Sequence, residues 1–205
     1  MSTKKKIGIM GGTFNPVHNG HLMIAEAAGK DFELDEILFM PSGISYQKKG
    51  KEVADPGIRA QMTALAIEGN PMFRLSTMEI DRKGNTYSYE TIELLCEESP
   101  DHEYYFIIGA DTLFTIETWK YPERILSRCV LLAALRGDSD VADMQEQIVR
   151  LQHKYQADIR LIPMDKVFIS STMIRQRIKA GESIRELVPD KVLRFIEQER
   201  LYQSL

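Results

Sequence analysis

The amino-acid sequence predicts an α/β protein: an open, mostly parallel β-sheet flanked by helices, with a small helical C-terminal part. Three observations lead there. Strand-like and helix-like patterns alternate along the chain, which implies βαβ units. The strand candidates are nearly continuous apolar runs, as expected where both faces of a sheet are covered. The unusual residues also gather at the carboxyl ends of those strands, where open α/β sheets hold ligands.

Taken in order, Ile7-Gly8-Ile9-Met10 is the first strand, followed by a glycine-rich turn. Residues 22–32, with three alanines, form the first helix. Residues 36–40 are a second short strand stopped by Pro41, and 42–55 a polar loop with Gly43, Gly50 and three lysines. Pro56 suits a first helical position, with Met62, Leu65 and Ala66 at helical spacing behind it. Residues 73–76 and 79–81 read as strand pieces before the turn Lys83-Gly84-Asn85. Ser88 is expected to cap a helix running to about residue 98, with Thr91, Leu94 and Leu95 inward. The run from Tyr104 to Gly109 is the best central strand, with Asp111 and Thr112 at its carboxyl end. Residues 129–135 make another strand, 141–155 an amphipathic helix and 158–162 a short strand, before helices at 171–180 and 189–201. Residues 1–205 therefore read as one domain, about 181–205 being a C-terminal helical extension.

Composition narrows the functions. A 43% apolar and 27% charged chain is ordinary for a soluble protein. The net charge of −4 offers no general attraction to nucleic acid or anionic membranes. Gln47-Lys48-Lys49-Gly50-Lys51 is the one local basic patch, and a solvated loop tip accounts for it. Cys96 and Cys129 show no Cys-x-x-Cys spacing, so two buried thiols in a reducing compartment are expected ahead of a disulfide or metal site. The apolar run after the basic N-terminus is too short for a signal peptide, and no segment has transmembrane length, so the expected location is cytoplasmic.

Two motifs carry chemistry. The first is Gly11-Gly12-Thr13-Phe14-Asn15-Pro16-Val17-His18-Asn19-Gly20-His21. Glycines without a Cβ admit a ligand close to the backbone, and a helix start offers N–H donors to an anion. Two imidazoles three residues apart can face the same group. The run is neither a dinucleotide fingerprint nor a Walker A loop. Two histidines with no partner at zinc-like spacing argue against a metal site. The second motif is Ile169-Ser170-Ser171-Thr172-Met173-Ile174-Arg175. Ordinary capping explains such hydroxyls taken alone; with Arg175 one turn on, they also make a ready phosphate site.

His-x-Gly-His and Ile-Ser-Ser-Thr-x-x-Arg, in this order and separation, resemble the nucleotidylyltransferase superfamily. Within it the chain is similar to the bacterial nicotinate-mononucleotide adenylyltransferases, nearly end to end. Further matches are Pro41-Ser42-Gly43, Gly84-Asn85-Thr86-Tyr87-Ser88, Phe106-Ile107-Ile108-Gly109-Ala110-Asp111, Trp119-Lys120-Tyr121, Arg136-Gly137 and Ile184-Arg185-Glu186-Leu187-Val188-Pro189. The resemblance implies a Rossmann-like fold and adenylyl transfer from ATP to nicotinate mononucleotide. It implies that His18, His21 and Arg175 act on the phosphates, and that Gly11, Gly12, Thr13, Phe14, Ser170, Ser171, Thr172 and Asp111 bind ATP. It assigns Ser88, Trp119, Tyr121, Lys48 and Arg136 to the pyridine nucleotide. Mg²⁺ would be held mainly through ATP phosphates, and a homo-oligomer is compatible. The chain departs from the family at Ser45-Tyr46-Gln47-Lys48, where Pro-Pro-His-Lys is frequent, at Ser88 in place of Thr, and at Arg136-Gly137, which lacks an intervening proline. The rival readings are a sister transferase using nicotinamide mononucleotide or phosphopantetheine, and a non-catalytic nucleotide-binding regulator.

Overall fold

The structure is a computed structural model of the chain and describes residues 4–43, 53–82, 84–135 and 140–203. Six strands are present among the described residues: β1 (Lys5–Gly12), β2 (Glu36–Pro41), β3 (Phe73–Leu75), β4 (His102–Gly109), β5 (Val130–Ala134) and β6 (Ile159–Leu161). They form one sheet in the order β3-β2-β1-β4-β5-β6, and every neighbouring pair is parallel. The expected parallel α/β architecture is therefore present. The order reverses between β1 and β4, which creates a crevice at their carboxyl ends.

Strand side chains alternate faces with period two. In β4, Tyr105 and Ile107 join one core, while Tyr104, Phe106 and Ile108 join the other. In β5, Val130, Leu132 and Ala134 divide from Leu131 and Ala133 in the same way. The first face is covered by α1 (Asn19–Asp31), α2 (Pro56–Ile67), α8 (Ser171–Lys179) and α9 (Asp190–Gln198), through residues such as Ile24, Met62, Ile174 and Phe195. The second is covered by α4 (Ser88–Glu98), α5 (Ala110–Thr115), α6 (Pro122–Leu126) and α7 (Val141–Tyr155), through Ile92, Leu113, Ile125 and Ile148. The C-terminal segment is part of the first core, because Ile184, Val188, Val192 and Ile196 lie within it.

Three local expectations are corrected. Residues 79–81 are not a strand piece but part of the short helix α3 (Met78–Asp81). The Thr77 hydroxyl reaches the Asp81 carboxylate at 2.7 Å and its carbonyl takes the Asp81 N–H, closing a helical turn. Leu94 is 36% exposed rather than inward, because Tyr89, Ile92 and Leu95 already define the buried stripe of α4 and Leu94 sits off it. Ser88 is the first helical residue of α4 and makes no cap hydrogen bond; the cap position is Tyr87. The expectation of two buried thiols is also corrected: both cysteines are free but only partly buried, although burial pushes the Cys129 thiol up to about 12. Among the described residues, no helix is long and apolar enough to cross a membrane.

Candidate active site

A cleft of about 540 Å³ opens at the carboxyl ends of β1 and β4. The first motif builds one part of it. β1 ends at Gly12, and Phe14 then adopts a left-handed backbone, φ 49°, a conformation a bulky residue keeps only where its surroundings hold it. The buried Phe14 ring stands edge-on to His21, with 4.9 Å between centroids. His18 occupies the cap position of α1 and is 1% exposed. Its ring stacks on that of His21 at 3.7 Å. The His18 main-chain N–H donates to His21 Nδ1 at 3.2 Å. Neutral His21 therefore carries its proton on Nε2, as a donor. Gly20 permits a close approach here, because a Cβ would lie 2.6 Å from Val167 and 3.1 Å from the His18 ring.

The second motif meets the first across most of the chain. Ser170 caps α8 by accepting the Met173 N–H, so the ordinary capping role is real. Beyond it, Ser171 donates to the Pro16 carbonyl at 2.8 Å, and Arg175 Nη1 donates to the Asn15 carbonyl at 2.8 Å. Arg175 Nη2 also lies 3.4 Å from the Thr172 hydroxyl. The sequence-predicted residues Gly11, Gly12, Thr13, Phe14, His18, His21, Ser170, Ser171, Thr172 and Arg175 thus line one cleft. The arrangement presents imidazole, hydroxyl, guanidinium and helix-start donors to one anion-sized region.

The rest of the cleft is lined by Ser88 at the start of α4, by the exposed Asp111 after β4, and by Trp119. Trp119 follows a short 3-10 turn, Ile116–Thr118, and sets its ring edge-on to Phe106 at 6.2 Å. Tyr121 is not on the cleft wall. It is 47% exposed and turns T-shaped against Tyr89 at 5.1 Å. Its neighbour Lys120 does line the cleft, with Nζ 4.4 Å over the Tyr87 ring. Lys48 and Arg136, like Gln47 and Gly137, lie outside the described residues. Sequence reasoning missed Asn15 as an anchor, and Glu79, Thr86 and Lys120 as cleft residues. Burial raises the Glu79 carboxyl above the usual range, and the Thr91 hydroxyl donates to it at 2.8 Å. Proximity to a recognised motif could have found Asn15 and Lys120; nothing local marks Glu79.

The segment that delivers Trp119 is clamped to α7. Glu117 accepts from Arg150, from Lys154 at 2.6 Å and from Tyr155 at 3.1 Å. Those donors hold its carboxyl down at about 2. A carboxyl depressed in the folded state adds stability above its unfolded pKa, and loses it as pH falls through the folded value. Acid titration of Glu117→Gln should therefore show a shallower stability loss between about pH 4.5 and pH 2 than wild type. Identical acid limbs would contradict the clamp.

Among the described residues, no three His, Cys, Asp or Glu side chains converge as a metal cage. The cytidylyltransferase-like family model matches residues 9–177. A "probable nicotinate-nucleotide adenylyltransferase" of Lachnoclostridium phytofermentans is 43% identical over 198 residues, covering 97% of this chain and 99% of that one. One from Clostridium botulinum is 42% identical over 200 residues, covering 98% and 99%. Among solved structures, the nicotinic acid mononucleotide adenylyltransferase of Plasmodium falciparum complexed with NaAD superposes with a TM-score of 0.81 at 20% identity, over 97% of each chain. That likeness shows the fold. With a family model spanning most of its length and relatives above 40% identity end to end, the chain belongs to the nicotinate-nucleotide adenylyltransferases of the cytidylyltransferase-like family.

Proposed function

We propose that this protein transfers the adenylyl group of ATP to nicotinate mononucleotide, forming nicotinate adenine dinucleotide and pyrophosphate in pyridine nucleotide synthesis. The observation that carries this reading is the meeting of two phosphate motifs in a cleft that also contains Trp119. The acceptor's 5′-phosphate attacks the α-phosphorus in line, and the bond to the pyrophosphate leaving group breaks. No covalent nucleophile is needed, because positioning and charge neutralisation suffice for such transfer. His18, His21 and Arg175 neutralise the developing charge, while Ser170, Ser171 and Thr172 cradle the β- and γ-phosphates. Mg²⁺ would be held mainly through the ATP phosphates and would supply further neutralisation, with Asp111 and Glu79 the carboxylates on the described cleft wall. The free cysteines fit work in the cytoplasm.

Trp119 is the proposed platform for the pyridine, which is cationic when attached to ribose. Desolvated cation–π contacts reach about 2 kcal/mol, so Trp119→Ala should raise the KM for nicotinate mononucleotide by about 30-fold. The KM for ATP should stay within about twofold. Equal effects on both substrates would contradict stacking. The reaction itself is tested with ATP labelled at the α-phosphorus: all label should enter the dinucleotide, leaving pyrophosphate unlabelled. Label in pyrophosphate, or the absence of dinucleotide, would overturn it.

A further inference from the structure

The C-terminal segment reaches Asn15, a residue that lines the phosphate site. After α9 the chain turns back through bonds from the Arg200 N–H to the Glu197 carbonyl and from the Leu201 N–H to the Ile196 carbonyl. Tyr202 then takes a left-handed backbone, φ 63°, where a non-glycine residue persists only if its surroundings hold it. Its ring packs on the first core. Its hydroxyl donates to Asn15 Oδ1 at 2.8 Å, and the Ala54 N–H donates to the same oxygen at 3.1 Å. Both lone pairs of that buried amide oxygen are thereby used. The carbonyl of Asn15 is the acceptor that orients Arg175 Nη1. One residue of the first motif thus ties together the C-terminus, the segment entering α2 and the guanidinium of the second motif.

We propose that Tyr202 is a positioning residue for ATP: through Asn15 it sets the carbonyl that aims Arg175 at the phosphates. The proposal rests on reading this wall as the ATP phosphate site. Arg175 spends one arm on the Asn15 carbonyl, and its remaining donors serve phosphate only while that carbonyl stays put. Removing the phenol hydroxyl takes one donor from Asn15 Oδ1 and loosens the hold on the Asn15 peptide, with the ring and its packing retained. Burial pushes the phenol well above its ordinary range, so it remains a donor throughout the working pH range.

The test compares Tyr202→Phe with Leu201→Ala, which trims core packing in the same segment without touching the hydroxyl. Dissociation constants for a non-hydrolysable ATP analogue are measured by calorimetry, beside KM for both substrates, kcat and melting temperature. For Tyr202→Phe we expect analogue affinity to weaken about tenfold, the cost of one lost bond to a buried polar group. KM for ATP should rise in step, with KM for nicotinate mononucleotide within about twofold. Leu201→Ala should lower the melting temperature and leave analogue affinity at the wild-type value. Wild-type affinity in Tyr202→Phe, or equal loss in both variants, would overturn the positioning role. If wild type releases no pyrophosphate with nicotinate mononucleotide while Tyr202→Phe still weakens analogue binding, the proposed reaction fails and the positioning role stands.

Discussion

His21→Ala is expected to lower kcat by about 10²–10³, the cost of removing one donor aimed at charge developing in a transition state. The fold should survive, because His21 is only partly buried at the rim of the cleft. Its Nδ1 accepts the His18 main-chain N–H at 3.2 Å, which leaves the Nε2–H as the working donor. Stacking on His18 and edge contact with Phe14 hold the ring plane. A substitution that keeps a donor but loses that orientation, His21→Gln, should recover only part of the rate. The measurement is steady-state kcat with both substrates saturating, beside a circular dichroism melt. Near-normal turnover in His21→Ala would remove this residue from the chemistry, and loss of the fold would mean its role is structural.

Arg59→Met should destabilise the protein strongly and disable the site without touching a phosphate. Arg59 is 1% exposed on α2. Its guanidinium donates to the carbonyls of Ala54 at 3.0 Å, Thr13 at 2.7 Å and Ser42 at 2.7 Å. It therefore staples together the loops that follow β1 and β2 and the segment entering α2. Burial lowers its pKa, but the side chain keeps its charge by serving three carbonyl dipoles. Methionine fills similar volume and makes none of these bonds. Three stranded carbonyls at about 1 kcal/mol each cost about 3 kcal/mol, or about 6–12 °C in melting temperature for a chain of this size. Arg59→Lys keeps the charge but loses the fork, so it should recover only a fraction. A methionine variant as stable as wild type would show that this buried guanidinium is dispensable.

The sheet was legible because its strands are short apolar runs separated by helical spacing, and β4 and α7 could be placed to within two residues. The phosphate motifs were legible because their residues sit next to one another in sequence. The failures have physical causes. Glu79-Ile80-Asp81 is too short for alternation to distinguish a strand from one helical turn, and the Thr77–Asp81 bond decides it. α5 and α6 span only 6 and 5 residues, too short for a periodic signal. Nothing local marks Arg59, since its three acceptors lie outside its own helix. Tyr202 meets Asn15 across 187 positions, a partnership no local pattern reports. The site could be recognised from its motifs, whereas the supports that aim it appear only in three dimensions.

On the proposed reaction, this cleft joins an adenylyl group to a pyridine mononucleotide. Pyrophosphate release with Mg·ATP and one acceptor at a time tests it most directly, with nicotinate mononucleotide, nicotinamide mononucleotide, phosphopantetheine and no acceptor compared side by side. Release is expected mainly with nicotinate mononucleotide, matched mole for mole by the dinucleotide. Release only with phosphopantetheine, or none with any acceptor despite ATP binding, would contradict it.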